Sequence, residues 1–238
     1  MKVTLIGYTQ PMKIARDPEL MVASCAKGCY SEKSSEELLE VADEGYVKTL
    51  DHIVASGHGS VVEHLSFTFS VEGISRACAN QLVRHRMASY SQQSQRYVKL
   101  TDLADRMIIP PSIQNVGNTD VDGYLVRRPV EGTIDKIMSL LTVLAEDLRN
   151  QGVPEEDIRY FYPIGMKTNI SVTMNARSLL NFFTWRCCNQ AQWEIRELAD
   201  RMLEICKRVA PTIFRNAGPE CVRTGCHEGK RSCGGWKK

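Results

Sequence analysis

Apolar positions along the chain fall by turns into alternating runs and helical stripes, and the change of period marks out its elements. Lys2 to Thr9 reads as a first strand. Ser34-Ser35-Glu36-Glu37 sets a hydroxyl three residues ahead of a glutamate, the reciprocal signature of a helix start. Leu38, Val41, Val47, Leu50, Ile53 and Val54 then mark one helix that stops near Gly57, followed by the turn Gly57-His58-Gly59-Ser60. Leu65 to Val71 alternates cleanly and predicts a half-buried strand. Behind it Ile74, Ala77, Cys78, Gln81, Leu82 and His85 recur at helical spacing, which puts Gln81, Arg84 and His85 on one face.

Pro110-Pro111 and the region from Asn115 to Gly123 form a punctuated connection. It is not read as a domain boundary, because the composition does not shift across it. Ile134, Ile137, Leu141, Leu144 and Leu148 make an amphipathic helix that Gly152 would end. Pro154-Glu155-Glu156-Asp157 opens a short helix that carries Arg159 and stops before Pro163. Ile170, Val172 and Met174 predict a further strand, which runs into Asn175-Ala176-Arg177-Ser178 and a helix through Leu180, Phe183 and Arg186. Ala191, Ile195, Leu198, Met202, Ile205 and Val209 give a last helix, ending at Pro211.

One stretch fits neither period; it begins on the end of the helix that carries Gln81 and is expected to continue as a loop. From Arg84 to Tyr97 the chain holds three arginines, a histidine, three serines and three glutamines, with only Met87 and Ala88 as apolar interruptions. Guanidinium forks match phosphate oxygens, and serine and glutamine both give and accept hydrogen bonds. Arginines stand beside amides elsewhere too: Arg159 alone, then Arg177 and Arg186 with Asn175 and Asn181. At strand–helix junctions such a set suits a phosphorylated, heterocycle-bearing ligand: forks for phosphate, amides for the ring edge.

Composition narrows this further. The 238 residues carry a net charge of +2, so anion affinity is local, and neither nucleic acid nor a membrane is an expected partner. No apolar run reaches bilayer length, the N-terminus lacks the features of a signal peptide, and nine scattered cysteines read as thiols in a reducing cytoplasm. There is no glycine-rich dinucleotide fingerprint, no P-loop and no His-Glu-x-x-His. Cys221, Cys226, His227 and Cys233 are numerous enough for zinc but lack paired Cys-x-x-Cys spacing, so free thiols and no metal are expected. A nucleotide- or nucleic-acid-binding module, with Tyr90 or Tyr97 stacking on bases, is the reading from another class.

Arg84-His85-Arg86-x-x-Ser89-x-x-x-x-Ser94-x-Arg96-Tyr97 closely resembles the signature R-H-R-x-x-S-x-N-x-x-S-x-R-Y of flavin-dependent thymidylate synthases. The resemblance continues in Gly57-His58-x-Ser60, Glu63-His64, Asn175 to Leu179, Asn181-Phe182, Arg186 and Ala191 to Arg196, spanning roughly residues 50–210. Ser91 stands where the signature has Asn, Gln92 where a carboxylate is common, and Gln190 where some members have His.

The resemblance implies a single α/β (α+β) domain over residues 1–238, with a mixed, largely antiparallel sheet flanked by helices and a Cys-rich tail from about residue 217. It implies a cytoplasmic homotetramer with sites between subunits, FAD as bound cofactor, dUMP as substrate, and methylenetetrahydrofolate and NADPH as co-substrates. By the same resemblance Ser60, Arg84, His85, Arg86, Gln92, Asn175, Arg177 and Asn181 would contact FAD. Gln81, Arg84, Gln92, Gln93, Ser94, Gln95, Arg96, Arg159 and Arg186 would hold dUMP. Arg186 would lie at the uracil ring as the catalytic group, favouring ionisation at N3 and so a more nucleophilic C5. Ser94, with no evident base beside it, is a binding residue, and Cys187 and Cys188 are bystanders. A flavoprotein reductase without methyl transfer is the alternative within reach of the same residues.

Overall fold

The computed structural model describes residues 1–12, 17–40, 45–114, 116, 118–121, 124–127, 130–226 and 228–235. In chain order its elements begin with β1 (Lys2–Tyr8), α1 (Pro18–Gly28), α2 (Ser35–Glu40), α3 (Tyr46–Ser56), α4 (Gly59–Val62), β2 (Ser66–Ser75), α5 (Arg76–Leu82) and β3 (Ser89–Gln92). There follow α6 (Pro111–Gln114), β4 (Asn118–Val121), β5 (Tyr124–Arg127), α7 (Val130–Asn150), α8 (Glu155–Ile158), β6 (Lys167–Asn175), α9 (Ala176–Arg186), α10 (Trp193–Val209) and α11 (Pro211–Phe214). The main sheet has the order β1-β2-β6-β3. Thr68 meets Thr173 while Ala176 N–H donates to Leu65 O, so β2 and β6 run antiparallel. This is the mixed α+β architecture with an antiparallel sheet that was expected. Among the described residues no helix is long and apolar enough to cross a membrane.

The chain divides into two compact units. The first comprises Met1–Val71, Gln81–Ser91 and Ser171–Lys238. Its core is aromatic. Phe67 meets Phe214 edge-on at 5.7 Å between centroids, Phe183 meets Phe214 at 6.0 Å and Phe182 meets Phe183 at 5.9 Å. Each of these rings is fully buried, a contribution of about 1.5–3 kcal/mol apiece. The predicted helix start at Ser34 forms as a reciprocal pair: Ser34 N–H donates to Glu37 at 2.7 Å and Glu37 N–H donates to Ser34 Oγ at 3.2 Å. The single helix expected from Leu38 to Val54 is instead α2 and α3, with Gly45 immediately ahead of the second; residues 41–44 lie outside those described. Gly57 ends α3 in a left-handed conformation, φ 72°.

The second unit comprises Glu72–Asn80 and Gln92–Ile170. The inner face of α7 (Met138, Leu141, Ala145, Leu148) packs with Leu100, Leu103, Ile158 and Met166 into its core. Arg149, half-sequestered, ties that helix down through Glu155, Tyr162 Oη at 2.8 Å and Leu100 O at 3.0 Å. The connection after Pro111 contains a hairpin that the apolar pattern did not reveal: β4 and β5 pair antiparallel, Asn118 opposite Arg127 and Val121 opposite Tyr124.

Two expectations around the polar stretch need correction. The helix predicted from Ile74 to His85 is shorter: Ile74 belongs to β2, and α5 ends at Leu82. At that end Tyr90 Oη lies 2.9 Å from Leu82 O and 2.7 Å from His85 O, with one proton to give between them, and Leu82 O also accepts from His85 N–H at 3.0 Å. Gln81 therefore stays on the helix while Arg84 and His85 lie in the turn beyond it. The loop expected through residues 89–92 is the strand β3.

Candidate active site

In the first unit the chemistry gathers where the turn after α5 meets α9. Asn175 caps α9, its Oδ1 accepting from Ser178 N–H at 2.8 Å. Ser178 Oγ donates its one proton to Met87 O at 2.5 Å and lies 2.7 Å from His85 Nε2. A hydroxyl that has spent its proton can only accept, which assigns the His85 proton to Nε2. The imidazole stands edge-on to Phe182 at 5.5 Å. Burial first, then the charge of Arg186, holds the His85 pKa below the ordinary imidazole value. Burial pushes Tyr90 up to about 12, with Arg186 opposing it. Both groups are thus neutral near pH 7, and both sense Arg186, which sits half-buried at the last residue of α9. No ion pair among the described residues engages that guanidinium.

Around this centre the other expected residues of the first unit are more open. Arg84, Arg86, Arg177 and Asn181 are exposed. Arg177 Nη1 pairs with Glu63 at 2.5 Å, and its side chain lies over Gly59, where an added Cβ would stand 3.1 Å from Arg177 Nε. Residue 59 thus permits a close approach between the α4 turn and α9. Ser60 opens on a cavity of about 570 Å³ that His52 and His58 also line. That volume lies in the range of small-molecule sites.

The second unit holds the remaining residues. Gln93 N–H donates to Asn169 O at 2.9 Å, and Gln92 Nε2 lies 3.4 Å from Thr168 Oγ1. Ser94 Oγ accepts from Arg96 N–H at 3.2 Å. Arg96 pairs with Glu156 at 2.7 Å, and Arg159 donates to Glu156 O at 3.0 Å. Gln95 is buried with its Nε2 unpartnered, and so is Nη1 of half-buried Arg76. Burial, then the nearby charge of Arg159, pushes the Arg76 pKa down. Two half-buried guanidiniums thus lie near one another, and a buried donor of Arg76 is unused.

Sequence reasoning missed Arg76, and gave Tyr90 and Ser178 no part in holding flavin or dUMP. Arg76 carried one signal: it opens α5, where the helix dipole disfavours a cation. Tyr90 and Ser178 act through hydrogen bonds to backbone carbonyls, which no side-chain pattern displays. Asn175 and Ser94 both have part of their polar capacity committed to backbone N–H groups.

In the first unit an unneutralised guanidinium thus lies among neutral polar groups, and in the second Arg76 and Gln95 each hold an idle buried donor. The family model described as thymidylate synthase complementing protein matches residues 4–212. A flavin-dependent thymidylate synthase of Clostridium tetani is 46% identical over 98% of this chain and 93% of its own length. Its counterpart in Geobacter sulfurreducens is 45% identical over 98% and 94%. A UMP/dUMP methylase, PolB, from Streptomyces cacaoi, solved with 5-Br dUMP, shares the fold: TM-score 0.72 at 21% identity, over 90% of this chain and 93% of that one. The chain belongs to the family of flavin-dependent thymidylate synthases. It is accordingly an enzyme of the methyltransferase class.

Proposed function

We propose that this enzyme converts dUMP to dTMP by reductive methylation, with FAD as cofactor, methylenetetrahydrofolate as carbon donor and NADPH as reductant. The observation that carries the reading is Arg186: half-buried, without a carboxylate partner among the described residues, beside His85 and Tyr90, which are both neutral. Uracil C5 is a weak nucleophile. A fixed cation against the ring stabilises negative charge on N3 and the adjoining carbonyls, and electron density at C5 rises with it. His85 donates through Nε2 to Ser178 and so stays oriented without adding a competing charge. Arg76 and Arg159, with the idle amide of Gln95, hold the phosphate. Arg96, Ser94, Gln93, Gln92 and Gln81 complete the nucleotide contacts.

The residues present fit a flavin: Ser60 borders a cavity of small-molecule size, and Arg84, Arg86 and Arg177 offer exposed guanidiniums to a pyrophosphate. His85, Asn175, Asn181 and Gln92 are placed with that cofactor. When bound, it supplies the hydride chemistry that completes the methyl group. Exposed Ile137, Leu140 and Leu144 lie along one side of α7 at helical spacing and support assembly of identical chains into a tetramer. None of the nine cysteines is joined in a disulfide among the described residues, in keeping with the cytoplasmic setting proposed.

The test is conversion of dUMP to dTMP by the purified, flavin-loaded protein given both co-substrates. Product that requires all three ligands is the expected result. A protein that takes up flavin and oxidises NADPH yet forms no dTMP is a reductase, and the proposal fails.

A further inference from the structure

The cysteines of the tail converge with a fourth thiol from elsewhere in the first unit. Cys221, Cys226 and Cys233 line one cavity of about 340 Å³ together with Cys188, which follows the end of α9. Cys187 also lines this cavity, but its buried thiol is hydrogen-bonded to Asp200 of α10.

Further bonds stitch the tail to the same junction. Gly235 N–H donates to Cys233 Sγ at 3.4 Å and Asn189 Nδ2 donates to it at 3.5 Å. Gln190 donates to Arg231 O, and Arg223 Nη2 reaches Thr184 Oγ1 at 3.0 Å. Left-handed glycines at Gly225 (φ 99°) and Gly234 (φ 65°) turn the chain directly beside Cys226 and Cys233.

We propose that Cys188, Cys221, Cys226 and Cys233 are the four ligands of a structural zinc ion that clasps the tail to the end of α9. Four thiolates around a cation with no ligand-field preference make a closed tetrahedral site, with Zn–S bonds of about 2.3 Å. Among the described residues no three histidine, cysteine or acidic side chains stand close enough together to hold a metal ion. Binding therefore contracts the tail onto the ion, each thiol giving its proton to solvent as it becomes a ligand. Cys188 stands two residues beyond Arg186. The clasp thus fixes the stretch of backbone that carries the arginine.

The full-length protein, expressed with zinc and purified without chelators, is analysed for metal by plasma mass spectrometry. One zinc per chain is expected. Cys→Ser at each of the four positions should cut it at least tenfold, while Cys25→Ser and Cys29→Ser leave it unchanged. Should a serine variant fail to fold, cobalt exchanged into the unaltered protein decides: tetrahedral thiolate coordination gives intense bands to the red of flavin absorption. Metal at trace levels, metal retained in all four variants, or an octahedral cobalt spectrum overturns the proposal. So does a count below nine titratable thiols in the chelated, unfolded protein, because a bridge among the four would exclude the ion. None of these readouts depends on thymidylate formation, so the two proposals fail separately.

Discussion

In the first unit His85, Ser178 and Met87 form a closed chain of hydrogen bonds, whereas in the second Arg76 and Gln95 each keep a buried donor with nothing to receive it. Both regions draw on the same residue types, and their difference lies in what has been satisfied before any ligand arrives. The closed chain orients a neutral imidazole beside Arg186 without ligand help. The open donors carry a standing cost of about 1–3 kcal/mol each that an anion can remove. In the proposed function, preorganisation serves the group that polarises the ring, and unsatisfied donors serve the group that captures the charge.

The largest effect expected is at Arg186. Arg186→Ala should lower dTMP formation by about 10²–10³-fold or more, with flavin content unchanged when absorbance is compared with protein concentration. Loss of flavin together with activity would make Arg186 a cofactor ligand instead. Arg76→Met sharpens the contrast because its two consequences have opposite signs. Affinity for dUMP should fall about 10–100-fold, the equivalent of one charge-assisted hydrogen bond. The ligand-free protein should meanwhile melt higher, since a buried cation with an idle donor has gone. Calorimetric binding and thermal melts read the two arms, and a drop in both would assign Arg76 to structure alone.

Ser178→Ala removes the acceptor for His85 and the donor to Met87, and should cost about 1–3 kcal/mol of stability in denaturant unfolding. An unchanged midpoint would show that the chain is not closed in solution. The His85 pKa is lowered by burial and by Arg186, so the unfolded chain binds this proton first as pH falls. Its contribution is whole above about pH 6.5 and is lost as pH drops from there through the folded value. His85→Gln should flatten that acid limb of the melting curve, and an identical slope in both proteins would contradict it. The smallest effect is at the α2 cap: Ser34→Ala should cost about 1 kcal/mol and leave turnover untouched.

The same contrast explains what could be read from the sequence. Apolar periodicity reports burial, so the strands through Phe67 and Val172 and the helices through Leu141 and Leu198 were visible. The strand β3 consists of Ser89, Tyr90, Ser91 and Gln92; it takes its place beside β6 through the backbone, and nothing in its pattern distinguishes it from a loop. The break between α2 and α3 did leave a sign: Val41 and Val47 stand six residues apart, about 120° out of helical phase, with Gly45 between them. Among site residues, Arg84, His85 and Arg186 announced themselves by company. Arg76 did not, because a buried charge and a solvated one are the same letter. Cys188 belongs to the same class: its distance in sequence from the tail concealed a neighbour in space.

The central claim is that an unneutralised Arg186 makes uracil C5 nucleophilic. Tritium release from C5-labelled dUMP measures this most directly, with the flavin-loaded protein, Arg186→Lys and Arg186→Ala compared under identical supply of methylenetetrahydrofolate and NADPH. Rapid release by the unaltered protein, partial release by the lysine variant and almost none by the alanine variant is the predicted order. Equal release from all three, with flavin bound in each, would contradict the account.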